Sequence, residues 1–340
     1  MIQPNPELNL TKKDFQSDQE VRWCPGCGDY AILNAVQNVF PELGIPRENF
    51  VIVSGIGCAS RFPYYMNTYG FHTIHGRAPA VATGIKVTRP DLSVWVVSGD
   101  GDALSIGGNH LIHAMRRNAD IKVLLFNNRI YGLTKGQASP ASELGKRTKS
   151  SPMGTTDEPF SPLALALGAN ARFVARSVDV FPPHLKGVLA QAAQHKGSAF
   201  IEIFQNCNIF NDGAWRGWTE RDVRDERVLN LEHGKPLVFG AKANRGIRLN
   251  GFKPEIVEFE GEPPRDLLVW DEDNPEPAMS FLMAGLGDRP GFPMPIGVFR
   301  KHEETTFETR VHAQVDEARS KAGSPNIQTL LEQGDVWTVS

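Results

Sequence analysis

Apolar and polar positions alternate in blocks between about residues 50 and 206. Short runs rich in β-branched residues, "NFVIVSGIG" (49–57), "LSVWVVSGDG" (92–101), "IKVLLFNNR" (121–129), "ARFVARSV" (171–178) and "AFIEIFQNC" (199–207), read as strands. Helical patterns over 77–88, 103–117 and 182–195 fall between them and predict right-handed crossover helices. The alternation predicts an α/β fold, a parallel sheet covered by helices on both faces. Three of the strands run into polar or Gly-rich turns, "SGIGCAS", "SGDGDALSIGG" and "FNNRIYGLTKGQ". Ligands of open α/β sheets gather at the carboxyl ends of strands, so these loops are expected to feed one site. The segment 136–162, rich in Gly, Ser, Thr and Pro, is too long for an ordinary connection and reads as a functional loop. Beyond about residue 215, Pro interrupts the periodicity in "EPPRDLLVWDEDNPEPAM" and "GDRPGFPMPIG". That part reads as an extension wrapping the core or a partner. No internal repeat or heptad run is present.

Composition narrows the classes. The chain has 340 residues, 41% hydrophobic and 22% charged, with a formal net charge of -3. Its Lys and Arg are scattered, which gives no footprint for nucleic acid or an anionic membrane. Apolar runs such as "VWVV" are too short to span a bilayer, and the start "MIQPNPELNLTKKDF" has no hydrophobic signal core. A cytoplasmic protein is expected. In a reducing compartment, the four cysteines Cys24, Cys27, Cys58 and Cys207 read as metal ligands or catalysts rather than disulfides. Cys24 and Cys27 form a CxxC before the first strand, a poor position for a thioredoxin-like dithiol. Cys58 and Cys207 each follow a strand. From spacing alone, tetrahedral zinc and a [4Fe–4S] cluster both suit four thiolates. Two ligands beside the Gly-rich turns argue for electron transfer.

The stretch "GDGDALSIGGNHLIHAMRRNADIKVLLFNN" runs from Gly99 to Asn128, between the ends of two expected strands. Asp100 offers a hard carboxylate oxygen and Asn128 an amide oxygen, donors suited to Mg²⁺. Gly99 and Gly101 permit close backbone approach to an anion at a helix start. A Mg²⁺-bound diphosphate is the expected tenant. His72 and His75 in "HTIHGR" have no acidic partner at helical spacing and do not read as a metal pair. "WRGW" (215–218) reads as a packed corner, and His110 and His113 as packing or surface residues.

This pattern resembles the GDG-to-NN signature of thiamine diphosphate enzymes, which adds the carbonyl of Ile130 to Asp100 and Asn128 as metal ligands. More specifically, "WCPGCGDYAILNAV", "GIGCASR", "HTIHGRAPAVATGIK", "GDGDALSIGGNH" and "NNRIYGLTKGQ", in this order over residues 20–215, resemble the β subunits of 2-oxoacid:ferredoxin oxidoreductases. The resemblance implies a [4Fe–4S] cluster on Cys24, Cys27, Cys58 and Cys207. It also implies a cofactor lined by Ile56, Gly57, Cys58, Ala59 and Gly99, with His75, Gly101 and Asp102 at its phosphates. Leu133 and Thr134 would lie near the thiazolium. Arg61 and Lys135 flank this region and suit a substrate carboxylate. In the family, Lys within "TKGQ" looks typical of enzymes taking 2-oxoglutarate or a broad range of 2-oxoacids.

The expected organisation is an arm (1–20), a thiamine diphosphate, Mg²⁺ and cluster domain (21–215) and an extension (216–340). The implied partners are an α subunit in an α2β2 heterotetramer, ferredoxin, the 2-oxoacid and coenzyme A. The implied reaction is oxidative decarboxylation of 2-oxoglutarate to succinyl-CoA. The alternatives are a broad-range or pyruvate enzyme of this family and a non-oxidative thiamine decarboxylase or carboligase with a structural zinc.

Overall fold

The chain is described here from a computed structural model over residues 8–339, apart from residue 325. Its strands are β1 (Phe50–Ser54), β2 (Tyr69–His72), β3 (Ser93–Gly99), β4 (Ile121–Asn127), β5 (Phe173–Val178), β6 (Ala199–Phe204), β7 (Val228–Leu231), β8 (Val238–Phe239), β9 (Arg245–Asn250), β10 (Lys253–Glu258) and β11 (Met294–Lys301). Eight form one sheet in the order β2-β1-β3-β4-β6-β5-β11-β7, and β10-β9-β8 form a small antiparallel sheet. The first six strands pair in parallel throughout. Every residue of β1, β4, β5 and β6 is buried, as expected where helices cover both faces of a sheet.

Alternation along the strands divides the core. Phe50, Ile52, Trp95, Val97, Leu124, Phe126, Ile201 and Ile203 face one layer, with Ile32, Val36 and Phe40 of the helix Asp29–Glu42 and Leu185 and Leu189 of the helix Pro182–Gln194. Val51, Val53, Val94, Val96, Val123 and Leu125 face the other, with Ala82 of the helix Ala78–Thr88 and Leu111 and Met115 of the helix Gly108–Arg117. Side chains of successive strand residues point to opposite faces, so one apolar run feeds both layers.

The structure departs from the sequence pattern in three places. β11 runs antiparallel to β5 and parallel to β7, so the sheet is mixed at one end. The expected helix over 103–117 is two pieces, Asp100–Leu104 and Gly108–Arg117. The break admits the turn at Gly76 (φ +72°), which lies so close to Gly107 that a Cβ on Gly76 would stand 2.5 Å from the Gly107 nitrogen. Finally, β2 lies at the sheet edge with all four residues exposed, and so carries no apolar run.

The chain beyond residue 215 supplies β7 and β11 and closes over the amino edge of the sheet. Asn118, which ends the helix Gly108–Arg117 at φ 58°, donates through its amide to the Glu304 carbonyl at 3.1 Å. The Asp120 N–H donates to Glu308 at 3.3 Å, in the first turn of the helix Phe307–Ala322.

Candidate active site

The ends of β3 and β4 lie side by side, with Gly99 in register with Phe126. Gly99 has extended geometry and starts the short helix, so Asp100 becomes its first residue. Asp100 is buried, and its Oδ2 accepts from the Ser139 hydroxyl at 2.5 Å. Burial pushes its carboxyl up to about 7 against the lowering effect of that hydrogen bond. Across the gap, the Asn128 side-chain oxygen accepts from the Ile130 N–H at 3.1 Å, which curls the chain after β4. Tyr131 then reaches back, its hydroxyl donating to the Gly101 carbonyl at 3.0 Å. A carboxylate, an amide and a backbone carbonyl therefore rise from two tied loops, and all three are hard oxygen donors of the kind that hold Mg²⁺.

Asp102 organises the neighbouring loops. Its buried carboxylate accepts from the Ile56 N–H at 3.1 Å, the Gly76 N–H at 2.7 Å, the Ser98 hydroxyl and His75 Nδ1. The turns after β1 and β2 and the helix after β3 thus meet at one side chain. This carboxylate is committed to the protein. His75 is held by its Nδ1, with 38% of its side chain exposed. Gly57, at φ +136°, has open space where a side chain would stand, Ile56 is exposed and Ala59 is buried.

The cysteines come from three distant segments to the same edge. A Cβ built on Gly132 would lie 3.5 Å from the Cys58 sulfur and 3.6 Å from the Cys207 sulfur. The CxxC turn closes with Cys27 N–H on the Cys24 carbonyl at 3.0 Å. It docks onto the end of β6 through Gly28 N–H on the Asn206 carbonyl at 3.1 Å and Gln205 Nε2 on the Cys27 sulfur at 3.2 Å. Trp23 Nε1 donates to the Cys58 carbonyl at 2.7 Å. Burial pushes the Cys58 thiol up to about 12 and the Cys27 thiol higher, and in both cases the neighbouring Asp29 and Cys207 add to the rise. Among the described residues, no three His, Cys, Asp or Glu side chains form a ready-made group for a single ion.

Sequence reasoning missed the acidic floor of this corner. Asp29 is buried and its carboxyl is pushed up to about 7 by burial and by Asp179, itself raised to about 6 by burial. The only signal was an Asp directly after "CPGCG". It also missed the brace formed by Arg129 and Trp215. The Arg129 guanidinium lies 3.9 Å from the centroid of Trp215, which stacks on Phe204 at 3.6 Å and donates to the Asn127 carbonyl at 2.8 Å.

The turn from Tyr131 to Gln137 is closed by Tyr131 N–H on the Gln137 carbonyl at 2.8 Å. It carries Leu133, Thr134 and Lys135 on its exposed side. The Thr134 hydroxyl is engaged by Gln137. Lys135 stands at φ 76°, and among the described residues it makes no ion pair. Arg61 turns onto Tyr65, donating to its hydroxyl at 3.0 Å. The Gly132 backbone beside Cys58 brings this turn to the Cys58 loop.

Residues 55–203 match the family of the thiamine pyrophosphate enzyme C-terminal TPP binding domain. The chain is 54% identical over 338 residues to 2-oxoglutarate oxidoreductase subunit KorB of Mycobacterium tuberculosis, covering 99% of this chain and 90% of the relative. It is 38% identical to the β subunit of 2-oxoacid:ferredoxin oxidoreductase 1 of Aeropyrum pernix, covering 92% of this chain and 87% of the relative. Among solved structures, a 2-oxoglutarate:ferredoxin oxidoreductase from Magnetococcus marinus with 2-oxoglutarate, coenzyme A and succinyl-CoA bound superposes with a TM-score of 0.76 at 32% identity, covering 97% of both chains. With the sheet, the two tied loops and the gathered thiols in common view, the chain belongs to the β subunits of the 2-oxoacid:ferredoxin oxidoreductases.

Proposed function

We propose that this chain, with an α subunit in an α2β2 assembly, oxidatively decarboxylates 2-oxoglutarate with coenzyme A to succinyl-CoA and CO2, reducing ferredoxin in the cytoplasm. The observation that carries this reading is the near full-length likeness to a 2-oxoglutarate oxidoreductase subunit. Thiamine diphosphate, when bound, supplies the electron sink that lets a 2-oxoacid lose CO2. Asp100, Asn128 and the Ile130 carbonyl would hold Mg²⁺ at its diphosphate, and their donor chemistry fits that ion. Cys24, Cys27, Cys58 and Cys207 would hold a [4Fe–4S] cluster, which offers one-electron chemistry. The convergence of Cys58 and Cys207 about Gly132 favours that role.

The chain's own residues orient the rest. His75, fixed by Asp102, would face the diphosphate, and Ile56, Gly57 and Ala59 would line the cofactor. Leu133 would wall off water at the reacting carbon. Lys135 and Arg61 would meet substrate carboxylates, since a fixed cation beyond the reacting carbon selects a diacid over pyruvate. The test is anaerobic co-purification with the α subunit, iron and sulfide analysis, and ferredoxin reduction with 2-oxoglutarate and with pyruvate. Equal amounts of iron and sulfide and a preference for 2-oxoglutarate are expected. A preference for pyruvate overturns the substrate, and zinc without sulfide overturns the redox role.

A further inference from the structure

Asp100 is held from behind by a loop that lies outside the GDG and NN motifs. Ser139 and Ser142, both buried, belong to the long segment after β4. The Ser139 hydroxyl donates to Asp100 Oδ2 at 2.5 Å, the Ser139 N–H donates to the Ser142 hydroxyl at 2.8 Å, and the Ser142 hydroxyl donates to the Arg129 carbonyl at 2.6 Å. Arg129 sits between Asn128 and Ile130. Three hydrogen bonds therefore tie the Asp100 carboxylate to the backbone of the segment that carries the Asn128 amide and the Ile130 carbonyl. Among the described residues, no other side chain donates to the Asp100 carboxylate.

We propose that Ser139 is a positioning residue that engages one oxygen of Asp100, so that the carboxylate meets a metal through the other oxygen alone, and that this sets a preference for Mg²⁺ over Ca²⁺. The inference rests on the reading of Asp100, Asn128 and Ile130 as the metal site. Mg²⁺ demands near-ideal octahedral geometry with single oxygens, whereas Ca²⁺ accepts a carboxylate through both oxygens at longer distance. Turning both Asp100 oxygens outward would leave the buried Ser139 hydroxyl with only the long 3.4 Å contact to the Ser142 hydroxyl. Partners that hydrogen-bond to a metal ligand commonly change affinity by about 10- to 100-fold when removed.

The test uses the assembled α and β subunits stripped of metal, with thiamine diphosphate titrated calorimetrically in Mg²⁺ or in Ca²⁺. Ser139→Ala is expected to lower the ratio of Mg²⁺ to Ca²⁺ affinity about tenfold. Ser139→Thr, which keeps the hydroxyl, is expected to hold the ratio of the unaltered enzyme. An unchanged ratio in Ser139→Ala, including an equal fall in both affinities, overturns the inference and leaves the metal site standing. Metal binding that survives unchanged in Asp100→Ala overturns the site itself, and the inference with it.

Discussion

The ring of Tyr131 occupies the space that a side chain on Gly101 would need: a Cβ there would stand 2.2 Å from Tyr131 Cε1, while the Tyr131 hydroxyl bonds the Gly101 carbonyl. This contact ties the loop after β4 to the loop after β3. Gly101→Ala is expected to expel the ring and weaken thiamine diphosphate binding at least tenfold, and Tyr131→Phe, which loses one hydrogen bond of about 1 kcal/mol, is expected to weaken it only severalfold. Calorimetric titration of the assembled enzyme measures both, and equal losses would show that the ring's position is irrelevant.

Asp102 gathers Ile56, Gly76, Ser98 and His75. Its removal leaves two backbone N–H groups without an acceptor, at about 1–3 kcal/mol each when they stay buried. Asp102→Ala is expected to lower thermal stability and release the His75 ring, whereas His75→Ala leaves the other three bonds and most of the stability. Thermal melts of the two variants, compared side by side, decide between a hub and a mere partner of His75.

Cys58→Ser substitutes a harder, weaker ligand for a thiolate. The expected outcome is loss of iron and sulfide and of ferredoxin reduction, with thiamine diphosphate binding retained because Asp100 and Asn128 are untouched. Iron retained at the level of the unaltered chain would remove Cys58 from the ligand set.

Lys135 is exposed at the tip of a closed turn. Lys135→Ala is expected to cost kcat/KM about 10- to 100-fold for 2-oxoglutarate, the scale of a lost charged hydrogen bond, and far less for pyruvate. Steady-state kinetics on both acids measure the difference, and equal losses would argue against contact with the distal carboxylate.

His195 gives a pH dependence remote from the active site. It is 2% exposed, among the described residues neither ring nitrogen has a hydrogen-bond partner, and burial lowers its pKa from 6.5 to about 3. The unfolded chain takes up the proton at the ordinary pKa and the folded chain resists it. The stability from the neutral ring is therefore complete above pH 6.5 and is lost as pH falls toward 3. By about pH 5 the loss is roughly 2 kcal/mol. His195→Phe, packed like the present ring against Phe173, is expected to remove this component, leaving that of His184, lowered by burial to about 4, and, in the opposite sense, those of the raised carboxyls Asp29, Asp100 and Asp179. Melting temperatures across that range test it, and parallel curves for the two proteins would rule it out.

The strands β1, β3, β4, β5 and β6 were legible because burial on both faces leaves long apolar runs. β2 was not, since an exposed edge strand needs no apolar residues, and β11 was hidden by Pro293 just before it and by Pro295 and Gly297 within it. The same split holds at the site. Asp100 and Asn128 stand out by spacing, and the four cysteines by number. The acceptor role of Asp102 toward His75, Ser139 behind Asp100 and Arg129 on Trp215 depend on which loops meet in space. No local pattern encodes those meetings.

The bare edge of β2 bears on how this protein can be produced. Tyr69 and Phe71 are exposed on a strand whose outer backbone groups, among the described residues, have no neighbouring strand, and such an edge is a template for uncontrolled pairing between chains. Made in excess by itself, the polypeptide is expected to precipitate or form soluble aggregates.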